Sequence, residues 1–358
     1  MKVLILTAIY PSPGNPACGS YVHTQSVSLQ RAGIDVDLLV LRHRCRKLIY
    51  PMAVLQLRER LARVNVDLIH AHYGLVGLVA RTQSKVPLVV TYHGSDILGW
   101  VDKHGKRGLG GEAIALACRL LARHVNAAIV QSDEMARKIQ GAHTHVIPHE
   151  VDLEIFKPIA RAQAKAALGL DPETKYLLFA ANPKVGVKRF PFAKAVADLM
   201  ARHDPSMKLI VVSHETQERL ALYMSACDAL IFPSFQEGSP NIVKQAMACN
   251  LPIVATDVGD VRQVIGTTHH CHICSPVVPE FAAKLADILA HRKRTNGREH
   301  VLHLDSAAVA RRVIAVYEEV LTRGARQHVA SRPHFSDLLP AWCRSSADPG
   351  ADPVKADE

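Results

Sequence analysis

The residues best placed to do chemistry lie close together between positions 228 and 265. The acidic turn Glu237-Gly238-Ser239-Pro240 follows an apolar strand predicted at 229–233, and it precedes a helix that carries Asn241 and Gln245. Free N–H groups at the start of a helix, together with the helix dipole, bind phosphate. A carboxylate and an amide both accept hydrogen bonds from polyol hydroxyls. The combination predicts a site that resembles, in outline, one for a nucleotide sugar.

Further candidate residues follow the predicted ends of other strands. Gly19 comes after the first strand and a proline-rich loop, and His93 ends a strand before a glycine turn. Asn182, Lys188 and Arg189 occupy the first strand–helix loop of the second half of the chain. Ligands of open α/β sheets bind at the carboxyl ends of the strands, so these residues can converge on one site. Each also has a plain interpretation, as a turn glycine, a structural histidine or a solvated basic turn.

The segment from 228 to 265 resembles the signature of the retaining GT-B glycosyltransferases, specifically glycosyltransferase family 4. The family pattern runs Pro-Ser, then Glu-Gly-x-Pro, then a second Glu in a Glu-Ala-Met-Ala context. Here it stands as Pro233-Ser234, Glu237-Gly238-Ser239-Pro240 and Gln245-Ala246-Met247-Ala248. An ordered match of this length is far more specific than a single glycine-rich hexapeptide.

The resemblance implies an α/β fold of the GT-B class, with two Rossmann-like, doubly wound parallel-sheet domains that face each other across a cleft. It implies a retaining, metal-independent hexosyltransferase that moves a sugar from a nucleoside diphosphate sugar to a glycan or lipid-linked acceptor. Neither a cofactor nor a metal is expected, because in this family the departing phosphate itself helps to deprotonate the acceptor. Envelope polysaccharide or glycolipid biosynthesis is the expected setting.

The resemblance also implies roles for individual residues. Glu237 would hold the hydroxyls of the sugar ring, His93 would contact the sugar and the β-phosphate region, and Lys188 would neutralise the diphosphate. These three are the expected catalytic residues. The expected donor-binding residues are Gly19, Asn182, Arg189, Gly238, Ser239, Asn241 and Gln245.

Three departures from the family pattern fall in or near this set. Gln245 stands where the family has a Glu that contacts the ribose hydroxyls. Because neutral hydrogen bonds are weaker than charge-assisted ones, we expect weaker donor binding or a changed donor preference. Asn182 takes the place of an arginine, and we hypothesise that Arg189 supplies the missing charge. His149-Glu150 replaces the family's Asn-Gly ahead of the hinge.

Strands and helices alternate along almost the whole chain, which is typical of doubly wound parallel sheets. Eleven strands are predicted, near 3–9, 35–41, 67–71, 87–92, 127–131, 145–148, 176–181, 208–213, 229–233, 252–257 and 271–274. The predicted parts are a first, acceptor-side domain (1–151), a hinge (152–172), a second, nucleotide-sugar-binding domain (173–304), a final helix (305–323) and a disordered tail (324–358).

Composition and net charge limit the classes of binding partner that we expect. The chain has 358 residues and a formal charge of +10, which favours an anionic partner. The basic stretch from Arg42 to Lys47, continued by Arg58, Arg60 and Arg63, fits either a helix on an anionic membrane surface or a solvated face. Aromatic residues make up only 5%, and no nucleic-acid motif is present, so nucleic acid is not expected.

The expected location is the cytoplasm, with peripheral association at the inner face of the membrane as an open alternative. No apolar run of about 18 residues predicts a membrane-spanning helix. The apolar start of the chain is interpreted as a buried strand and not as a signal peptide. Eight cysteines without framework spacing fit a reducing compartment.

Three groups carry residue types that bind metals, yet none is expected to do so. Asp35-Val36-Asp37 is interpreted as the entry to a strand, and His70-Ala71-His72 offers two side chains on one face of a strand without an evident third ligand. The run at 269–274 holds three histidines and two cysteines but also fits a plain strand. Structural zinc sites usually space their ligands across a turn.

Two other functions remain open on the sequence alone. A nucleotide-sugar epimerase or hydrolase of the same fold would consume the donor without an acceptor. A catalytically silent binding module would bind a nucleotide sugar without turnover, and the replacement of a Glu by Gln245 makes this worth testing.

Overall fold

The computed structural model describes residues 1–42 and 49–330, with residues 324–330 given as helix backbone only. Its strands form two parallel sheets, each flanked by helices. The basic stretch from Arg42 to Lys47 lies, from position 43 onward, outside the described residues. The predicted tail lies outside them from position 331.

The first sheet has six parallel strands in the order β2-β1-β3-β4-β5-β6. Its strands are β1 (Lys2–Thr7), β2 (Asp35–Val40), β3 (Leu68–His72), β4 (Leu88–Thr91), β5 (Ala127–Val130) and β6 (Thr144–Val146). The helices between them are α1 (Ser20–Arg31), α2 (Ile49–Arg63), α3 (Gly74–Ala80), α4 (Ser95–Leu98), α5 (Leu109–Ala122) and α6 (Asp133–Lys138).

The second sheet has five parallel strands in the order β11-β10-β9-β7-β8. Its strands are β7 (Lys175–Phe179), β8 (Met207–Val211), β9 (Ala229–Phe232), β10 (Ile253–Ala255) and β11 (Cys271–Ile273). The remaining helices are α7 (Arg161–Ala167), α8 (Phe190–Ala201), α9 (Gln217–Ala226), α10 (Asn241–Ala248), α11 (Val261–Ile265), α12 (Val278–His291), α13 (Gly297–Val301) and α14 (Ser306–Ala330).

In each sheet, successive strands are added first on one side and then on the other. This reversal lies between β1 and β3 in the first sheet and between β7 and β9 in the second. The central strands are apolar and buried along their length, as in β9 and β10, because helices cover both faces of a parallel sheet. In such sheets, ligands bind beside the reversal, at the carboxyl ends of the strands. The topology therefore places the loops after β1, β3, β7 and β9 where a ligand is expected, and the loop after β4 lies next to the loop after β3.

The final helix leaves the second sheet and returns to the first. Val309, Val313 and Tyr317 of α14 are fully buried and pack in one cluster with Val3 and Ile5 of β1. The helix was predicted to end near position 323, but it continues to Ala330. Among the residues whose burial is described, the packing of α14 against the first sheet extends to Val320.

All eleven predicted strands are present, and the prediction of two doubly wound parallel sheets is confirmed. Strand ends differ by at most two residues from the predicted ones. The first strand ends at Thr7 and not at Ile9, because the Thr7 hydroxyl donates to the carbonyl of Ile9 at 2.9 Å and starts the turn. No helix within the described residues combines the length and the apolar character needed to cross a bilayer.

Candidate active site

The two sheets meet through loops at the carboxyl ends of their strands. The loop after β4 contains Gly94, and the loop after β9 contains Gly238. A Cβ atom on Gly238 would lie 2.9 Å from the Cα of Gly94 and 3.0 Å from the sulfur of Met135. Real Cβ atoms do not approach other heavy atoms so closely, so glycine at 238 allows this contact across the cleft. Glu237 and His93 each lie one residue from this contact, so the backbone segments that carry them are brought together.

Glu237 forms an ion pair with Lys188. The Lys188 Nζ lies 2.5 Å from Oε1 of Glu237, and the two side chains keep 28% and 15% of their exposure. Lys188 ends a short 3₁₀ turn, Gly186–Lys188, that follows β7, whereas Glu237 follows β9. β7 and β9 are neighbours at the reversal of the second sheet, which explains why two residues so far apart in sequence meet. The expected sugar-binding carboxylate and the expected diphosphate-binding ammonium are thus in direct contact.

The turn of Lys188 rests on the first domain. A Cβ atom on Gly186 would lie 2.6 Å from the Cβ of Lys103, so these two backbones are as close as their atoms allow. Nearby, the Gln236 side-chain amide donates to the carbonyl of Gly99 at 2.8 Å. These contacts hold the loops after β7 and β9 against the segment between α4 and α5.

Ser239 takes part in a buried polar group beneath the acidic turn. Its hydroxyl donates to Oδ2 of Asp260, and the Nζ of Lys244 lies 4.0 Å from the same oxygen. Lys244 is fully buried, and burial lowers its pKa to about 8. Burial also raises the pKa of Asp260. The side chain of Ser239 therefore fixes the turn, which leaves its backbone for any contact with a donor.

Asn241 and Gln245 lie on α10, which starts directly after the acidic turn. They are one turn apart, at positions i and i+4, and therefore lie on the same face of the helix. Both are partly buried, and Oδ1 of Asn241 has no hydrogen-bond partner within the described part of the chain. The predicted order of acidic turn, helix start and Gln245 is present.

A buried carboxylate positions the loop that carries His93. Asp96 is fully buried and accepts hydrogen bonds from the N–H groups of His93, Gly94 and Gly74, each at 3.0 Å. Burial raises the pKa of Asp96 to about 6, although these three donors oppose the shift. The carboxylate thus holds the loop after β4 in the shape that reaches Gly238.

The imidazole of His93 lies in a row of histidines. Its Nδ1 is 3.0 Å from Nε2 of His149, and its Nε2 is 3.3 Å from Nδ1 of His72. The rings of His93 and His149 are stacked at 4.9 Å, and the ring of Tyr21 lies within 4.8 Å of both. His70 continues the row beside His72, with ring centroids 4.4 Å apart.

Burial keeps this row neutral. It lowers the pKa of His72 to about 3 and the pKa values of His70, His93 and His149 well below the ordinary value for histidine. A neutral imidazole donates one hydrogen bond and accepts one, so the tautomers along the row are coupled. His70 ends it with 2.6 Å contacts to the hydroxyls of Thr91 and Tyr317.

Sequence reasoning identified His93 but missed its partners. His70 and His72 were considered only as metal ligands, and His149 only as a departure from the family pattern. Their positions did carry a signal, because each lies in or after the carboxyl half of a strand that feeds the same edge of the sheet.

Gly19 lies at the start of α1 with a φ of +64°. A Cβ atom there would lie 2.6 Å from the carbonyl oxygen of Ile9. Both the left-handed backbone and the close approach require glycine at this position. The loop before it, with Asn15 and Cys18, lines a cavity of about 310 Å³ between the two sheets.

Asn182 lines the same cavity from the other domain. Its Nδ2 lies 3.4 Å from Nε2 of His214, whose Nδ1 lies 3.1 Å from Oδ1 of Asn15. These polar contacts connect the loops after β7 and β8 with the loop after β1. Asn182 thus faces the cleft, and His214 is a further cleft residue that the sequence did not single out.

Arg189 has other partners than the ones expected. Its guanidinium lies over the rings of Phe192 and Phe235, at 4.5 and 4.3 Å from their centroids. It lines a second cavity of about 440 Å³, together with Ser234 and Thr256 at the ends of β9 and β10. Stacking between two rings favours this position. The structure does not bring Arg189 into the Lys188–Glu237 pair within the described residues.

Several other charged residues singled out in the sequence form ion pairs. Asp37 binds the guanidinium of Arg60, and Asp35 lies 3.4 Å from the Nζ of Lys2. Arg63 of the same helix lies 2.5 Å from Glu59. Part of the basic face predicted on α2 is therefore balanced by carboxylates. The run at 269–274 contains the strand β11, as its plain interpretation predicted.

Comparison with known proteins identifies the chain. The sequence model of Glycosyltransferase Family 4 matches residues 20–155, and that of Glycosyl transferases group 1 matches residues 185–291. A protein of Bacillus subtilis (strain 168), whose name assigns it to teichuronic acid biosynthesis as the glycosyltransferase TuaC, is 25% identical over 81% of this chain and 88% of its own.

Solved structures share the arrangement of both domains. Sucrose-phosphate synthase from Thermosynechococcus elongatus superposes with a TM-score of 0.75 at 20% identity, over 90% of this chain and all of the other. Anabaena Alr3699/HepE in complex with UDP-glucose superposes with a TM-score of 0.59 at 15% identity, over 91% of this chain and all of the other. The chain is a glycosyltransferase of the GT-B fold and belongs to glycosyltransferase family 4.

Proposed function

We propose that this enzyme transfers a sugar from a nucleoside diphosphate sugar to a hydroxyl of a glycan or lipid-linked acceptor, with retention of configuration and without a metal. The setting we propose is envelope polysaccharide or glycolipid biosynthesis, on the cytoplasmic side of the membrane. The observation that carries the proposal is the ion pair of Lys188 and Glu237, held beside His93 by the contact of Gly238 with Gly94.

In this proposal, Lys188 and Glu237 move apart when the donor binds, and each then contacts a different part of the donor. The ammonium of Lys188 donates to the diphosphate, where negative charge develops as the sugar leaves, and preorganised charge there lowers the barrier. The carboxylate of Glu237 then accepts from sugar hydroxyls. The N–H groups at the start of α10 and the loop of Gly19 complete the phosphate site, and Gln245 holds the ribose.

His93 contributes through its place in the row of imidazoles. Because both of its ring nitrogens have imidazole neighbours, its orientation is set before the donor arrives. In the proposal, His93 exchanges one of these imidazole neighbours for the donor, and its neutral ring then donates its single N–H to a sugar hydroxyl or to a phosphate oxygen. Closure of the cleft over these groups would exclude water and limit hydrolysis of the donor.

The relatives favour a particular order of candidates for the donor and acceptor. A solved structure of the same fold contains UDP-glucose, so UDP-sugars are the first donors to test. The Bacillus subtilis relative is named for teichuronic acid biosynthesis, which makes an envelope polysaccharide intermediate the first class of acceptor to test. The anionic membrane surface is a further proposed partner, because part of the basic stretch continues into α2.

The test is a binding and turnover panel of UDP-, GDP-, ADP- and dTDP-sugars with EDTA present. It compares wild type with Glu237→Gln and Lys188→Met. A suitable control is Lys194→Met, because Lys194 forms a similar ion pair with Asp198 at 2.6 Å on an exposed surface outside the cleft. Loss of a hydrogen bond to a charged group costs about 1.5–3 kcal/mol, so we expect donor affinity to fall roughly ten- to a hundredfold in both cleft variants.

The outcomes separate the candidate functions. An α-linked product, identified by NMR of the anomeric proton and formed in EDTA, supports the proposed reaction. Consumption of donor without any acceptor indicates an epimerase or hydrolase, and binding without turnover indicates a silent module. Failure of every donor to bind wild type would contradict the proposed substrate class.

A further inference from the structure

A second group of polar side chains lies away from the cleft. His143 and His145 flank the first residue of β6, the edge strand of the first sheet, and Glu319 lies on α14. These residues are 176 and 174 positions apart in sequence, yet their side chains meet. Their group lies near the amino ends of β5 and β6, whereas His93 follows the carboxyl end of β4. The two sites therefore lie at opposite edges of the sheet, the new group at the amino ends of the strands and His93 at their carboxyl ends.

The distances between these three side chains are close to those between the ligands of a metal ion. His143 Nε2 lies 3.1 Å from Oε1 of Glu319, His145 Nε2 lies 3.5 Å from Oε2, and the two imidazole nitrogens are 3.2 Å apart. A tetrahedron built on metal–ligand distances of about 2.0–2.1 Å has edges of about 3.3–3.4 Å. With one ligand atom taken from each residue, the three atoms lie within 4.8 Å of one another, so a single ion can bind all three once the side chains close in on it.

The orientation of His143 is fixed by its second nitrogen. Nδ1 of His143 lies 2.8 Å from the carbonyl oxygen of Asn126, to which only an N–H can donate. With a metal ion bound, the proton would stay on Nδ1, and the lone pair of Nε2, on the side of Glu319 and His145, would be available to the ion. Ligating histidines in proteins usually have such a partner, which sets the tautomer and the ring orientation.

The backbone keeps the three residues in register. His143 and His145 are two positions apart on an edge strand, so their side chains share a face. α14 runs beside this strand, because Arg312 donates to the carbonyl of Val146 at 2.7 Å while Glu319 contacts both histidines. Seven helical residues rise about 10 Å, which matches three residues of strand.

We propose that His143, His145 and Glu319 bind one divalent transition-metal ion of the zinc type, with water in the fourth position. The histidine side chains are each 25% exposed and Glu319 is 34% exposed, so an ion can enter from solvent. Two imidazoles and one carboxylate form a common ligand set for Zn²⁺. The ion would connect the final helix to the edge strand of the first domain.

Arg323 competes for the same carboxylate. Its Nη2 lies 2.6 Å from Oε1 of Glu319. The ion would thus share Glu319 with a guanidinium, which weakens the site. We expect Arg323→Gln to bind the metal more tightly than wild type, and weaker binding by this variant would count against the proposal.

The experiment titrates Zn²⁺ and Co²⁺ into the full chain without a histidine tag, after EDTA treatment and removal of EDTA. Stoichiometry is read by calorimetry and by metal analysis, and the absorption of Co²⁺ reports a tetrahedral site. The variants are His145→Gln and Glu319→Gln. The control is His272→Gln, which changes a histidine of the run at 269–274 on the second domain.

We expect one equivalent of metal in wild type and in His272→Gln. Removal of a second-shell partner alone weakens metal binding by about 10–100-fold, so loss of a ligand should weaken it by about 100-fold or more. Metal should also raise the thermal midpoint of wild type but not of the two ligand variants. If His145→Gln does not fold, Glu319→Gln serves as the test.

Two results would overturn the proposal. One is wild type that takes up no metal, and the other is uptake that survives both ligand variants or disappears in His272→Gln. Binding of the nucleotide-sugar donor should be the same with and without Zn²⁺, because the two sites lie at opposite edges of the sheet. The metal titration therefore tests this proposal whether or not any nucleotide-sugar donor binds.

Discussion

Replacement of Gly238 by alanine tests whether the contact between the two domains shapes the site. The new Cβ would lie 2.9 Å from the Cα of Gly94, 3.0 Å from the sulfur of Met135 and 3.3 Å from the carbonyl oxygen of His93. Two of these atoms belong to backbone that Asp96 holds in place through its hydrogen bonds. The loops must therefore separate.

The size of the effect follows from these distances. Carbon atoms in contact are about 3.5–4.0 Å apart, so the loop of Gly238 must move from that of Gly94 by about 0.6–1 Å. Overpacking of this kind costs about 1–3 kcal/mol. Because opening the cleft relieves the strain, we expect the cost to fall on the closed state. Each 1.4 kcal/mol is tenfold, so donor affinity and kcat/KM should fall by about ten- to a hundredfold.

The assay measures the dissociation constant and kcat/KM for the donor identified in the panel, together with the thermal midpoint. We expect a small change in midpoint beside a large change in donor affinity. Gly110→Ala is the matched control, because a Cβ at Gly110 of α5 would have no atom within 4 Å. Wild-type donor binding and turnover by Gly238→Ala would refute the inference that this contact sets the geometry of the site.

Three further predictions concern buried or substituted groups. Burial raises the pKa of Glu150 from 4.5 to about 8. The folded chain therefore keeps a proton that the unfolded chain releases, and the free energy of unfolding falls as the pH rises through this window. Glu150→Gln, whose amide can still accept from Ser28, should flatten this dependence and raise the thermal midpoint at pH 8, read by scanning calorimetry. Asp96→Ala leaves three N–H groups without their acceptor, so urea denaturation should show a loss of roughly 3 kcal/mol. Gln245→Glu restores charge-assisted hydrogen bonding to ribose, and calorimetry should show donor binding about tenfold tighter.

Each of these has a control of the same chemical type. Glu154→Gln changes a carboxylate that is 91% exposed and should leave the pH dependence as it is. Asp133→Ala removes an exposed carboxylate at the start of α6 and should cost about 0.5 kcal/mol or less. Gln263→Glu adds the same charge on exposed α11 and should not change donor affinity. Equal effects of a variant and its control would contradict the corresponding reasoning.

Much of the fold was predictable because its information is local. Each strand is a short apolar run bounded by Gly, Pro or polar residues, and each helix between strands has its own apolar face. The alternation of the two implies parallel pairing, since a crossover is needed between parallel strands. The acidic turn after β9 and the helix start after it were likewise visible in consecutive residues. The Gly19 turn, too, could be inferred from its place after the first strand.

Other features could not be predicted because they depend on residues far apart in sequence. Arg189 carries the charge expected beside Lys188, but aromatic rings from α8 and from the loop after β9 hold its guanidinium. α14 ends at Ala330 and not near position 323, and its packing on the first sheet, which extends to Val320, does not account for these last turns. His149 had no recognisable motif, and only the fold places it against His93.

The sequence by itself determined the order of strands and helices, the glycines at the tight approaches and the types of charged and polar groups available for a donor. Local backbone preferences and hydrophobic periodicity are properties of neighbouring residues, so they can be inferred from the chain alone. The tertiary structure decided which of these groups meet. Lys188 reaches Glu237 because β7 and β9 are adjacent, and His143 reaches Glu319 because α14 returns to the first sheet. Such contacts depend on how whole helices and strands pack together, which cannot be inferred from a local sequence pattern.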